Sequence, residues 1–465
     1  MSETKTDIPN MEEQLVDYIH SVRFEDLPVD VIKYCKMLVM DSVGVTFPGS
    51  KAPGCDAVTG LVKAWGTKVG ASVLIHGHKA PPPLAAMANS TMMHALDFDD
   101  TLDVSALHTF VSVLPAALAT AEDVGNISGH QFITALVAGV DIICRLSLAI
   151  QRPLSWIRTA TCGAFGAAAA AARILGLDKD QTANALGIVY SQTAGNAQGL
   201  LEGRLIKRMQ PGFAASAGVT SAYLARAGIT GSRAFLRGKY GFYNLYEAGE
   251  YDPAPVVKDL GIHFALMDLS VKPYPSCRMT HSAIDAALAL LPRLNGPVDD
   301  IAAIKVHASK MVTEMVGKPF VVGNNPQVDA QFSIPYTVST ALCRQDVFLT
   351  DFEDNAISDA RVRSLADKVT VVHDPDLADK DILQIKMGIR MADGQTYEEH
   401  VKAPLGNPQK PMDKDRCREK FHKCIAASGL DFDHHRIREV MDFIESMETV
   451  ADVSRLAELT WVQKK

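Results

Sequence analysis

The sequence predicts a mainly α protein in which a large helical domain is interrupted by a smaller α+β domain. Three observations carry this. Residues 11 to about 265 keep helical spacing, the pattern turns to a period of two beyond Asp268, and helical spacing returns after Pro404-Leu405-Gly406-Asn407-Pro408. The expected partition is 1–267 together with 405–465 for the helical domain, and 268–404 for the insert.

In chain order, Leu15, Tyr18, Ile19 and Val22 fall on one stripe of an amphipathic helix. Pro28 marks the start of the next, where Ile32, Cys35, Leu38 and Val39 continue the helical period. Six consecutive alanines within Gly163–Arg173 combine high helix propensity with little bulk, so they predict a central helix tightly surrounded by others. Ala214, Ala215, Ala217, Gly218, Ala222 and Ala225 predict a second small-residue helix packed against it. In the insert, Ile304, Val306 and Ala308 alternate with Ala303, Lys305 and His307, which predicts a strand, and Lys368–His373 reads likewise. Gln384–Met391, Asp393-Gly394 and Thr396–Val401 predict a hairpin, because Asp-Gly supplies the positive φ angles of a tight turn. Helical signals recur at His281–Leu291 and Tyr336–Leu342, and Pro335 stands near the start of the latter helix.

A chain of 465 residues with 47% hydrophobic and 22% charged residues can bury large cores. Its net charge of −8 and the absence of basic runs longer than two residues exclude an electrostatic nucleic-acid binder. An anionic ligand would therefore need a local basic cluster. The eight cysteines form no C-x-x-C pair, which argues against a zinc ribbon or an iron–sulfur dehydratase and fits a reducing cytoplasm. No signal core is read in Met1–Asp7 and no 18-residue apolar stretch elsewhere, so a cytoplasmic protein without membrane association is expected.

The stretch His94–His108 holds four aspartates, a threonine and two histidines between apolar segments. Unpaired carboxylates are costly to bury, so Asp97, Asp99, Asp100 and Asp103 there suggest a polar site. The alternative is a solvated turn in which Thr101, Asp103 or Ser105 caps the next helix. Lys207 and Arg208 stand before a Pro-Gly break, where a helix N-terminus beside cations suits a carboxylate or equally forms a solvated basic loop. Two prolines stiffen Val271–His281, which presents Lys272, Ser276, Arg278 and His281 at the domain change. Arg158-Thr159-Ala160-Thr161-Cys162 leads into the alanine helix, where the threonines and the cysteine read as caps.

Taken in order, these segments resemble the MmgE/PrpD family, whose members include 2-methylcitrate dehydratase, cis-aconitate decarboxylase and iminodisuccinate epimerase. The marks are His94-Ala-Leu-Asp-Phe-Asp-Asp-Thr101 with His108, the Gly163 alanine run, Lys207-Arg-Met-Gln-Pro-Gly, Lys272-Pro-Tyr-Pro-Ser-Cys with Thr280-His281, and Gln331-Phe-Ser-Ile-Pro-Tyr336. The resemblance implies a homodimer, an α+β lid over a helical domain, and chemistry on small di- or tricarboxylates with neither metal nor cofactor. It carries site roles onto Asp97, Thr101, His108, Lys207 and Lys272. His108 is then the candidate general base or acid, because its ordinary pKa lies near neutrality. Asp97 orients it or relays its proton, and Thr101 positions substrate. Lys207 and Lys272 supply positive charge, with Arg278 or Arg158 as further clamps and Ser276 and His281 as binding residues.

Two departures bear on substrate. Where many members carry a His-Pro-Thr-Gly-like run, this chain reads Ile157-Arg158-Thr159-Ala160, and where the decarboxylase has a tyrosine it has Met315 before Lys318-Pro319-Phe320. A lyase, dehydratase or decarboxylase, is the favoured expectation on family frequency. An epimerase or isomerase of a dicarboxylate is the runner-up, and an inactive binding member is the third reading.

Overall fold

The computed structural model describes residues 10–462, so the Met1–Asp7 signal-core reading lies outside it. The chain divides into two compact units, one formed by residues up to Leu269 together with Asp413 onward, the other by Ser270–Met412.

The first unit is helical. Its main helices are α1 (Met11–Ser21), α2 (Val29–Gly49), α3 (Cys55–Ala64), α4 (Pro82–His94), α5 (Phe110–Val124), α6 (Gly129–Leu148), α7 (Arg158–Ile174), α8 (Lys179–Tyr190) and α9 (Ile206–Arg226). The alanine helix α7 is central as expected, buried from Thr159 through Ala172 and packed on α5, α6, α8 and α9. Small residues make this possible. A Cβ added at Gly139 of α6 would stand 2.7 Å from the Gly166 carbonyl oxygen, and one at Gly218 of α9 would stand 2.5 Å from the Ala167 Cβ. These helix axes approach too closely for larger side chains.

Helix α6 corrects one sequence expectation, since it is long and apolar enough to cross a membrane, with a mean hydropathy of 1.6. The unit buries 89% of that window, and Asp141 and Arg145 form an ion pair within it, at 2.7 Å. This is a core helix of the first unit, exposed only near its ends. Helix α9 corrects another. Pro211-Gly212 does not precede the helix but lies inside it. The proline falls only five residues past the start at Ile206, where it removes little of the hydrogen-bond ladder. A Cβ on Gly212 would meet the Met87 carbonyl and Thr91 hydroxyl oxygens, both at 2.7 Å, so α9 lies tight along α4.

The second unit contains α10 (His281–Leu290), α11 (Ile334–Arg344) and a four-stranded sheet of β1 (Ile301–Ala308), β2 (Val369–His373), β3 (Ile385–Met391) and β4 (Thr396–Val401). The strand order is β2-β1-β3-β4, with β1 parallel to β2 and the other pairings antiparallel. Ile304, Val306 and Ala308 form the buried face of β1, joined by Ile385, Met387 and Ile389 and by Ile284, Ala287, Val338 and Leu342 of the two helices. The hairpin is present, but of its Asp-Gly pair only Gly394 takes a positive φ, of 88°. The turn is closed one residue wider, by the Met391 N–H donating to the Gln395 carbonyl at 2.8 Å. Pro335 occupies the first turn of α11, with Ser333 as the cap.

The segment 404–410 stays with this second unit. Gly406, at φ 83°, accepts from the Val271 N–H at 3.0 Å and donates to the Lys410 carbonyl at 2.8 Å, so the unit's boundary falls later than the proline run. The chain then re-enters the first unit as α12 (Lys414–Ala427) and α13 (His434–Glu445), both against α2.

Candidate active site

Helix α4 ends at His94, and the fifteen residues from Ala95 to Thr109 cross to α5 as an irregular loop. Acidic side chains hold that loop in place. The Asp100 carboxylate accepts from the Thr109 N–H (2.9 Å), the Thr109 hydroxyl (2.8 Å) and the Phe110 N–H (3.2 Å), which caps α5 from nine residues upstream. None of Thr101, Asp103 and Ser105 is the cap of α5; its N-cap position is Thr109. The reason is tertiary: the loop folds back, so a sequence-distant carboxylate reaches the first N–H groups. Burial raises the Asp100 carboxyl, and the neighbouring Asp99 charge raises it further. Thr159 of α7 also braces the loop, accepting from the His108 N–H at 3.1 Å rather than capping its own helix.

At the centre is Asp99, with no exposed surface. Its Oδ2 lies 2.9 Å from Nδ1 of His94 and 3.0 Å from Nδ1 of His108. Burial pushes this carboxyl up, but the two imidazoles outweigh it and hold Asp99 well below the ordinary carboxylate range. Asp99 is therefore an anion.

The hydrogen-bond partners fix both histidine tautomers. His108 Nδ1 faces two acceptors, Asp99 Oδ2 and the Asp100 carbonyl at 2.7 Å, so it carries the proton and leaves Nε2 as the reactive nitrogen. His94 Nε2 lies 3.0 Å from the Lys207 ammonium, a pure donor, so its proton also sits on Nδ1. Burial, reinforced by the Lys207 charge and opposed by Asp99, lowers His94 to about 4, and it is neutral.

Lys207 comes from the first turn of α9, which the antiparallel packing on α4 brings to His94. Its Nζ also donates to Asp97 Oδ1 at 3.1 Å, and that oxygen stands 3.7 Å from His108 Nε2. Asp97 adopts a left-handed conformation, φ 54°, which Asp tolerates better than most residues and which neighbouring contacts must sustain. The side chains of His94 and Asp99 are 1% and 0% exposed, whereas those of His108, Asp97 and Lys207 are 13%, 18% and 24% exposed. The buried pair forms a floor, above which His108, Asp97 and Lys207 keep part of an imidazole, a carboxylate and an ammonium exposed.

Of the residues expected from sequence, the structure brings Asp97, His108 and Lys207 together. Thr101 is buried in the same loop. Asp99 and His94 were not among the assigned site residues, and Asp99, rather than Asp97, orients His108. The signal was present in the alternation His94, Asp97, Asp99, His108, but only the folded loop shows which carboxylate faces which ring. Arg158 donates to the Arg152 carbonyl at 2.7 Å and stands 3.4 Å from the carbonyl and hydroxyl oxygens of Ser105, so it braces the turn preceding His108.

Lys272, Ser276, Arg278 and His281 belong to the second unit. There Arg278 reaches His281 Nδ1 (3.0 Å), the Leu405 carbonyl (3.1 Å) and the Ser270 hydroxyl (3.1 Å), while Ser276 bonds Thr280 at 2.8 Å. This network stiffens the proline loop from within. Met315 is 57% exposed.

Among the described residues, His94, Asp97, Asp99 and His108 offer ligand atoms within 4.8 Å of one another, a set that suits a divalent cation. The Lys207 ammonium already contacts two of those residues, through His94 Nε2 and Asp97 Oδ1.

Known proteins share this organisation. Residues 13–254 match the MmgE/PrpD N-terminal domain, and residues 274–445 match the MmgE/PrpD C-terminal domain. The chain is 29% identical over 476 residues to the cis-aconitate decarboxylase-like protein oryM of Aspergillus oryzae, covering 97% of each chain. It is 28% identical to cis-aconitate decarboxylase of Aspergillus terreus, covering 96% of this chain and 95% of the relative. With 2-methylcitrate dehydratase of Escherichia coli it shares 23% identity over 92% of each chain. Spanning both domains along nearly its whole length, the chain belongs to the MmgE/PrpD family.

Proposed function

We propose that the chain is a lyase acting on a small tricarboxylate, with His108 moving a proton at a carbon next to a carboxylate. The observation that carries this is the buried Asp99 anion, which holds the proton on His108 Nδ1 and leaves Nε2 facing Asp97, the carboxylate that Lys207 also contacts. A fixed anion behind an imidazole favours its protonated form when a proton arrives at the opposite nitrogen, so His108 can take and return one. Lys207 meets a substrate carboxylate and stabilises charge that develops beside it. Lys272 is retained as a second cation on the family resemblance alone.

Relatives named as decarboxylases reach 29% and 28% identity against 23% for the dehydratase, which favours loss of CO₂. In that reaction the carbon–carbon bond to one carboxylate breaks and its electron pair stays on the skeleton. The His108 imidazolium then protonates that carbon. In dehydration, neutral His108 would instead remove a proton next to a carboxylate, and the imidazolium so formed would return it to the hydroxyl, which leaves as water as the double bond forms. Neither direction asks the residues for an added cofactor. On the family resemblance, Ile157 and Met315 stand where other members carry a histidine and a tyrosine, which points to a substrate pocket of different lining.

A homodimer is part of the proposal. Ile206, Phe213 and Leu224 share one face of α9 by helical spacing and are 41%, 43% and 38% exposed, and Leu201 and Leu205 just before it are 79% and 48% exposed. An apolar stripe of this length suits burial against a second copy.

The test is incubation of a di- and tricarboxylate panel, cis-aconitate and 2-methylcitrate included, in deuterated water. CO₂ release or an unsaturated product supports the lyase, and His108→Ala should then lose most turnover. Deuterium in recovered substrate of inverted configuration would replace the lyase with an epimerase. Binding without any turnover would leave a binding member.

A further inference from the structure

The loop Ala95–Thr109 is secured at its far side by a residue some three hundred positions later. Lys420 of α12 is 5% exposed, and its Nζ donates to the Phe98 carbonyl at 2.9 Å. The same nitrogen lies 2.5 Å from Asp41 Oδ1 of α2 and 3.8 Å from the centre of the Phe98 ring. Close packing sets this up, since a Cβ on Gly44 of α2 would stand 2.9 Å from the Phe421 ring of α12.

Phe98 sits between the two residues that matter most. Asp97, before it, is left-handed and faces Lys207; Asp99, after it, orients both imidazoles. A charge-assisted bond to the Phe98 carbonyl fixes the peptide plane between Phe98 and Asp99, from which Asp99 hangs directly and Asp97 is one residue removed. As a contribution to stability alone the ion pair is a poor choice. Asp41 is 4% exposed and its second oxygen has no hydrogen-bond partner, and a buried pair commonly returns less than its desolvation costs. Burial raises the Asp41 carboxyl to about 6 even with Lys420 lowering it.

We infer that Lys420, set by Asp41, is a positioning residue for the active-site loop, acting through the Phe98 carbonyl on Asp97 and Asp99. The effect on turnover rests on the lyase reading above; the effect on the loop does not.

The experiment compares wild type, Asp41→Asn and the double variant Asp41→Asn/Lys420→Met by hydrogen exchange and by turnover of the acid that wild type converts. Asp41→Asn keeps the Lys420 donor to Phe98 and an amide oxygen to accept from Nζ, so it is expected to lose stability but to change kcat and the exchange of 95–109 by less than about threefold. The double variant removes the charges while keeping volume. Peptides covering 95–109 should exchange about tenfold faster, with peptides of α7 unchanged. Its kcat should fall about tenfold or more with KM within about twofold, because the reacting groups are misplaced while Lys207 remains. Should it fail to fold, Asp41→Leu/Lys420→Met is read in the same way. Unchanged exchange of 95–109 in a folded double variant overturns the inference. Failure of both double variants to fold beside a folded Asp41→Asn also overturns it, since Lys420 would then be purely structural. A wild type inactive on every acid refutes the lyase reading and leaves the exchange result to decide the loop.

Discussion

Asp99→Asn isolates the role of the buried anion. The side chains are nearly the same shape, and an asparagine oxygen in the place of Oδ2 still accepts from both Nδ1–H groups, 2.9 and 3.0 Å away. What is removed is the charge. When His108 takes up a proton, the Asp99 anion is one atom beyond Nδ1, and at about 4 Å with an effective dielectric of about 20 the attraction is about 4 kcal/mol. At 1.36 kcal/mol per decade this is a fall of about 10³ in kcat. KM should stay within about threefold, because Lys207 and Asp97, which face the ligand, are untouched. The assay is steady-state turnover of the acid that wild type converts, beside a melting curve. Acid stability offers a second reading. The Asp99 carboxyl is held below its ordinary 3.8, so its contribution is present above that value and lost as pH falls through the folded one. Asp99→Asn should therefore lose less stability than wild type below about pH 4. A kcat within tenfold of wild type in a folded Asp99→Asn would refute the assignment of His108 as the group that carries the proton.

Three further outcomes follow from the same geometry. His94 is lowered from 6.5 to about 4, so between those values the unfolded chain binds a proton that the folded one refuses, and stability should rise with pH by about 3 kcal/mol across the window. Asp41, raised to about 6, contributes the opposite slope, so the His94 share is read as the difference between denaturation curves of wild type and His94→Gln. Arg158→Ala should quicken exchange at 103–108 and lower kcat, given its bonds to Ser105 and Arg152; a large rise in KM with kcat unchanged would instead make it a substrate clamp. Phe213→Asp should halve the mass seen by light scattering, and an unaltered mass would place the dimer contact elsewhere or remove it.

The sequence alone determined the helical framework, the β hairpin and the stretch in which polar side chains cluster, because these depend on local properties. Six alanines favour a slim helix anywhere, alternation in Ile304–Ala308 makes a half-buried strand, and costly carboxylates among apolar segments must have partners. Tertiary structure decided what the partners are. Asp97, Asp99 and Asp100 are near neighbours in sequence, yet the first faces Lys207, the second two imidazoles and the third the start of α5. That division depends on the left-handed turn at Asp97 and on how α9 lies along α4, with Lys420 holding the peptide between the first two carboxylates. Pro211 shows the same division: a proline is a helix breaker only relative to where the helix begins, and this helix begins five residues earlier, at Ile206.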